Sequence, residues 1–253
     1  MAETLSVYMQ VYKQKRAVFE SLKYFRTWYP DAPISMFSDN GDDFSEVAKS
    51  FDATYIPSNV RTFVGPELLT GNPMNLDGVY ELFRRVYEHC KSVDTDWVLF
   101  ISSGTRTLRR VRSFPTTPHA GARMNPFSSD LTDHLNRKFG EKLYVYGTAG
   151  GGMVNRLAWI EAYERNRNLE EYVQYDPGVA LYGDLALNLM MFINNFEYSV
   201  WDEVSEIHHM SAPIIKDSAF DHGYKYWYDR EWDDRLLESY KIRTVKDFDE
   251  SYL

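Results

Sequence analysis

The chain has a single cysteine, Cys90, in 253 residues, which excludes an internal disulfide and points to a reducing compartment. Long apolar runs are missing as well. The most apolar stretch, Leu181 to Ile193, is broken by Asp184 and Asn188, and none approaches the roughly 20 residues a membrane-spanning helix needs. Met1 to Gln14 has no apolar run behind a basic start, so no signal peptide is expected and the expected location is the cytoplasm. Basic charge is in deficit: 28 Lys and Arg stand against 37 Asp and Glu, a net charge of -9, which argues against a nucleic-acid partner. No cysteine–histidine zinc spacing, phosphate-loop Lys-Ser/Thr, early-strand dinucleotide fingerprint or Ser-His-Asp elbow is present.

What remains is an ordinary globular composition, 44% hydrophobic and 26% charged, enough for one large core without staples. Aromatics reach 16%, and such rings serve equally as core packing or as stacking platforms for sugar faces. One basic cluster, Arg106, Arg109, Arg110 and Arg112, interrupts the acidic background; it reads either as a solvated face or as a grip on a diphosphate.

The first half alternates strand and helix. Strands are predicted at Leu5 to Tyr12, Pro33 to Ser38, Ala53 to Ile56 and Trp97 to Ile101, the last a continuous apolar run suited to a buried central position. Helices are predicted at Arg16 to Trp28, Phe44 to Phe51 and Leu76 to Val93. Pro57 to Asn75 is a long loop of the kind that often carries function. This order implies a mostly parallel sheet flanked by helices, with ligands beyond the carboxyl ends of its strands. The second half is less regular: helices at Leu131 to Phe139, Leu157 to Val173, Gly183 to Phe196 and Asp229 to Tyr240, and strands at Leu143 to Tyr146 and Tyr198 to Trp201.

A parallel half, then a buried strand with a polar break at Ser102-Ser103-Gly104-Thr105, then a glycine run from Gly147 to Gly152, then Gly183-Asp184 opening a helix, together resemble the GT-A glycosyltransferases. The likeness spans about Leu5 to His209 and extends to compact virus-encoded members that decorate capsid proteins, for which the location would be host cytoplasm. It implies an α/β, Rossmann-like fold with a small mixed C-terminal half, in one domain over 1–253. Residues 1–112 would form the nucleotide-binding half, 113–215 the sugar and acceptor half, and 216–253 a helical appendage. The implied activity is transfer of a hexosyl or pentosyl group from a UDP- or GDP-type sugar to a hydroxyl of a glycan or glycoprotein. The alternative is a related domain that binds nucleotide or glycan without turnover.

The resemblance places the donor on Val11 and Tyr12, Asp39, Arg84, Ser102, Ser103, Gly104, Arg106, and Gly150, Gly151 and Gly152. Asp39 would accept hydrogen bonds from base or ribose, or else form an Asx turn capping the next helix. The glycines would let bare backbone approach the sugar, or else form a flexible hairpin. Asp184 would take the acceptor's proton as general base, implying inversion, and it also suits a helix N-terminus. His208 and His209 are candidates for a phosphate contact. The family's acidic pair for Mn²⁺ or Mg²⁺ is missing at Ser102 to Thr105, so no metal ligand is assigned; a divalent cation stays open, and Arg106, Arg109 and Arg110 are candidates to meet the leaving group without one. Asp94-Thr95-Asp96 spells Asp-x-Asp but precedes its strand, at the far end from the expected crevice, and reads as a turn.

Overall fold

A computed structural model describes residues 3–62, 76–122, 151–166, 183–206 and 217–222 of the chain. In order these form β1 (Leu5–Val11), α1 (Lys15–Trp28), β2 (Ile34–Ser38), α2 (Ser45–Ser50), β3 (Thr54–Ile56), α3 (Leu76–Ser92) and β4 (Trp97–Ile101). There follow β5 (Thr105–Thr107), β6 (His119–Gly121), β7 (Met153–Asn155), α4 (Arg156–Arg165), α5 (Gly183–Ile193), β8 (Tyr198–Val200), β9 (Val204–Glu206) and β10 (Phe220–His222).

Seven strands make one sheet in the order β3-β2-β1-β4-β7-β6-β8. β1 pairs in parallel with β2 on one side, Val7 opposite Ile34, and with β4 on the other, Val7 opposite Leu99. β2 and β3 are parallel, β7 runs antiparallel to β4 and to β6, and β6 and β8 are parallel. The sheet is thus mostly parallel, as the alternation of predicted elements implies. A second sheet has the order β5-β10-β9.

Alternation along the strands sorts side chains into two cores. Leu5, Val7, Met9 and Val11 of β1, with Trp97, Leu99 and Ile101 of β4, pack with Val18, Leu22 and Phe25 of α1 and with Val204 and Phe220 of the small sheet. Tyr8, Val98 and Phe100 face the other way, onto Val79, Phe83 and Val86 of α3, Trp159 of α4 and Met190 of α5. Each fully buried side chain of this kind contributes about 1.5–3 kcal/mol. Arg26 closes the end of α1, donating to the carbonyls of Tyr29, Pro30, Ala32, Phe51 and Asp52. Behind the sheet, His89 of α3 bridges two strands, its ring nitrogens 3.0 Å from Ser6 Oγ of β1 and 2.9 Å from Ser35 Oγ of β2.

The predicted elements of the first half are all present within a residue or two at their ends. The second half differs more. β5, β6, β7, β9 and β10 are three-residue strands, too short to leave a periodic signature. The predicted helix from Leu157 starts at Arg156, where the Asn155 side chain accepts from Ala158 N–H as a cap. Its extension past residue 166, the helices at Leu131 to Phe139 and Asp229 to Tyr240, and the strand at Leu143 to Tyr146 lie outside the described residues. Among the described residues no helix is long and apolar enough to cross a membrane.

Gly151 is where the two sheets touch. Its φ is +131°, and a Cβ there would lie 3.0 Å from Phe220 Cβ and 3.1 Å from Val204 Cγ1. Both the backbone region and the packing require glycine. Gly151→Ala is therefore expected to cost about 1–3 kcal/mol, read as a lowered urea midpoint at unchanged slope.

Burial pushes the imidazoles of His89 and His119 down, from 6.5 to about 4 and about 3. Because the folded values are depressed, the unfolded chain binds more protons between these values and 6.5, so this contribution to stability is complete above pH 6.5 and is lost as pH falls. The expected slope is about 1.4 kcal/mol per pH unit for each histidine. Denaturation at pH 7 and pH 5 should show it, with a flatter dependence in His89→Gln.

Candidate functional site

The strand order reverses at β1: the chain goes from β1 to β2 and β3 on one side, then crosses to β4 on the other. The crevice beyond the carboxyl ends of β1, β2 and β4 is the place where such sheets bind ligands. At the end of β1, the loop leaving β2 lies directly on the loop leaving β1. Asp39 N–H donates to Val11 O at 2.7 Å and Asp42 N–H to Tyr12 O at 2.7 Å. A Cβ on Gly41 would stand 1.7 Å from Tyr12 O, so this approach admits only glycine. The Tyr12 ring carries the Arg61 guanidinium at 4.7 Å and the Lys13 ammonium at 5.2 Å. Cations held on an aromatic face in this way bring positive charge to the mouth of the crevice.

On the β2 side, Asp39 is 4% exposed. Its Oδ1 accepts from Thr62 N–H, from Thr62 Oγ1 at 2.8 Å and from Gln10 Nε2 at 3.3 Å. Arg85 of α3, 1% exposed, ties the same region together. It donates to Ser38 O at 2.8 Å, Ser58 Oγ at 2.7 Å and Val60 O at 3.0 Å, pairs with Glu81 at 2.9 Å, and lies 3.8 Å from Asp39. Burial alone pushes the Glu81 carboxyl up; hydrogen bonds from Arg84 and Arg85 outweigh this and hold it below the usual range. The start of the long loop, Ser58 to Thr62, is thereby pinned over the end of β2. The phenol of Tyr8, pushed up by burial, sits against Phe37 at 4.9 Å in the same wall.

On the β4 side, Ser102 to Thr105 forms a tight turn closed by Thr105 N–H to Ser102 O at 3.1 Å and by Ser102 N–H to Thr105 Oγ1 at 3.0 Å. Ser102 Oγ accepts from Gly104 N–H at 3.1 Å and lies 3.0 Å from His222 Nε2 of β10. Ser103 Oγ reaches Gln14 Oε1 at 3.4 Å, bridging the β4 end to the start of α1.

The structure thus sets Val11, Tyr12, Asp39, Ser102, Ser103 and Gly104 at or just beyond the carboxyl ends of three adjacent strands. Other expected positions have partners elsewhere. Arg84 lies on the outer side of α3, half exposed and paired with Glu81 and Glu88; its neighbour Arg85 is the one that reaches the Asp39 cluster. Arg106 is 3% exposed, with its guanidinium 4.4 Å over the ring of Tyr24 on α1, so it faces the interior and not the crevice. Arg109 pairs with Glu203 at 2.7 Å, Arg110 donates to Trp28 O at 2.7 Å and Arg112 pairs with Asp217, so these three tie the scaffold together. Asp39 caps no helix; the local turn ahead of α2 belongs to Asp43, which accepts from Ser45 N–H at 2.9 Å. Gly151 and Gly152 are buried, Gly152 O accepting from Phe100 N–H at 2.9 Å and Gly151 lying against Phe220 and Val204 of the small sheet.

Asp184 stands in the first turn of α5, with its side chain outside the described residues, as are Gly150, His208 and His209. Asp96 accepts from Thr4 N–H at 2.8 Å at the amino end of β4, the far end from the crevice. Arg85 had a readable signal, since it falls on the same helical stripe as Leu82, Val86 and His89. His222 had none, because 120 positions separate it from Ser102.

The fold is that of the GT-A glycosyltransferases. The galactosyltransferase LgtC, in complex with donor and acceptor sugar analogues, matches over 98% of this chain and 100% of its own, at a TM-score of 0.54 and 15% identity. The glycosyltransferase GlyE of Streptococcus pneumoniae TIGR4 matches over 98% of this chain and 63% of its own, at 0.51 and 13% identity. A glycosyltransferase involved in the glycosylation of the major capsid of PBCV-1 matches over 94% of this chain and 98% of its own, at a TM-score of 0.47 and 12% identity. No protein-family model matches the chain. No curated protein matches it either.

Removing a buried guanidinium that serves several acceptors leaves them unpaired. Arg85→Ala is expected to lose about 3–5 kcal/mol of stability in urea denaturation. Arg85→Lys should recover little of it, because one ammonium cannot reproduce the planar fork.

Proposed function

We propose that this chain is a glycosyltransferase that moves a sugar from a UDP- or GDP-linked donor to a hydroxyl of a glycan or glycoprotein. The observation that supports it is the β1 switch point, where Tyr12, the Asp39 cluster and the Ser102 turn follow the carboxyl ends of three adjacent parallel strands. An aromatic ring flanked by Arg61 and Lys13 suits a nucleotide, and the hydroxyl-lined turn at the end of β4 lies where the phosphates and sugar would follow. In LgtC the same fold holds donor and acceptor sugar analogues.

In this reading Asp184, in the first turn of α5, is the general base. The acceptor hydroxyl gives its proton to the carboxylate as its oxygen bonds the anomeric carbon. The bond from that carbon to the phosphate oxygen breaks, and the nucleoside diphosphate leaves with the electron pair. A second reading, a domain that binds nucleotide or glycan without turnover, is favoured by the lack of a carboxylate in Ser102 to Thr105.

A thermal-shift panel of UDP- and GDP-sugars, followed by donor hydrolysis and transfer assays, separates the two. We expect saturable stabilisation by one donor class together with turnover. Saturable binding with neither hydrolysis nor transfer establishes the second reading. Asp184→Asn is expected to lower transfer about 100-fold or more while donor affinity holds. Retained transfer, or a product with the donor's anomeric configuration by NMR, rejects the base role.

A further inference from the structure

The fold's usual partner is a divalent cation held at the end of the β4 strand, and the residues here do not fit one. Hard divalent cations take about six oxygen ligands, carboxylates foremost. The side chains at this strand end are the hydroxyls of Ser102, Ser103 and Thr105, and Gly104 adds none. These hydroxyls are already engaged: Ser102 Oγ by Gly104 N–H at 3.1 Å and His222 Nε2 at 3.0 Å, Thr105 Oγ1 by Ser102 N–H at 3.0 Å, and Ser103 Oγ by Gln14 Oε1 at 3.4 Å. The nearest acid in sequence to His222 is Asp221. It stands opposite Arg106 in the β5–β10 ladder, while His222 stands opposite Thr105. Successive residues of a strand face opposite sides, so Asp221 is turned from the strand end that His222 meets. Among the described residues no three or more His, Cys, Asp or Glu side chains are grouped to hold a metal ion.

We propose that this chain binds the phosphates of its donor without a divalent cation, through the Ser102–His222 pair. The inference rests on the glycosyltransferase reading and names how that site meets the diphosphate. β10 is paired with both β5 and β9, which carries His222 to the end of a strand from the other sheet. A histidine can carry both the proton and the positive charge that a phosphate attracts. With Ser102 Oγ held by two groups, the pair is fixed before the ligand arrives, which spares the ordering cost on binding.

Titration calorimetry of the full chain with UDP and with GDP tests this, in excess EDTA and in saturating Mn²⁺ or Mg²⁺. The expected result is a Kd that agrees within about twofold across these conditions for the nucleotide that binds. His222→Ala, checked for an unchanged melting temperature, should weaken that nucleotide about tenfold. Loss of wild-type binding in EDTA, or a tenfold or larger gain with metal, overturns the proposal and leaves the glycosyltransferase reading standing. An unchanged Kd in folded His222→Ala also overturns it. Binding of neither nucleotide under any condition rejects the glycosyltransferase reading itself, and this inference with it. Should His222→Ala fail to fold, the wild-type titrations decide alone.

Discussion

The double parallel pairing of β1 is the constraint on which the rest depends. One strand must keep register with β2 and β4 at once, Met9 facing Met36 on one side and Ile101 on the other. A slip of one residue against either neighbour would turn Val7, Met9 and Val11 out of their core and carry Tyr8 into it. Both cores therefore hold the register, and the register holds the three strand ends level. Tyr12, Asp39 and Ser102 come together because hydrophobic faces elsewhere are satisfied, with no contact among the three needed to place them.

Buried polar groups then convert level strand ends into a shaped wall. Arg85 costs much to bury, and its burial is offset by acceptors on β2, on the loop after β3 and on its own helix. That one guanidinium sets where the loop from Ser58 to Thr62 runs, and the loop in turn closes on Asp39 through Thr62. At the end of β4 stands a second sheet of three-residue strands. These are too short to stand alone, and they are clamped by Phe220 and Val204 against Gly151 and by Arg109 against Glu203.

Legibility follows the range of the interactions. The strands and helices of the first half were readable because apolar alternation and helical spacing are local and repeat over many residues, as in Trp97–Ile101 and Leu76–Ser92. Asp39 and the Ser102 turn were readable as ends of those elements. Arg84 was taken where Arg85 serves, because a single position around the helix decides which guanidinium faces inward, and two adjacent arginines look alike in a sequence. The arginines after β5 suggested an anion grip, yet each answers to a partner far along the chain: Tyr24, Glu203, Trp28 or Asp217. Gly151 was taken as room for a ligand and is room for Phe220 and Val204.

By itself, the sequence determined the class of architecture: the alternation of strands and helices that makes the sheet mostly parallel, the apolar faces that these elements bury, and the loss of acids at the end of β4. These are properties of neighbouring residues, set by backbone sterics and the burial of periodic apolar surface. Only the tertiary structure decided that His222 stands beside Ser102, that Arg85 and not Arg84 supports Asp39, and that Arg106 lies over Tyr24. Each of these joins segments distant along the chain, and such a contact comes into being only when the sheet that carries both partners has closed.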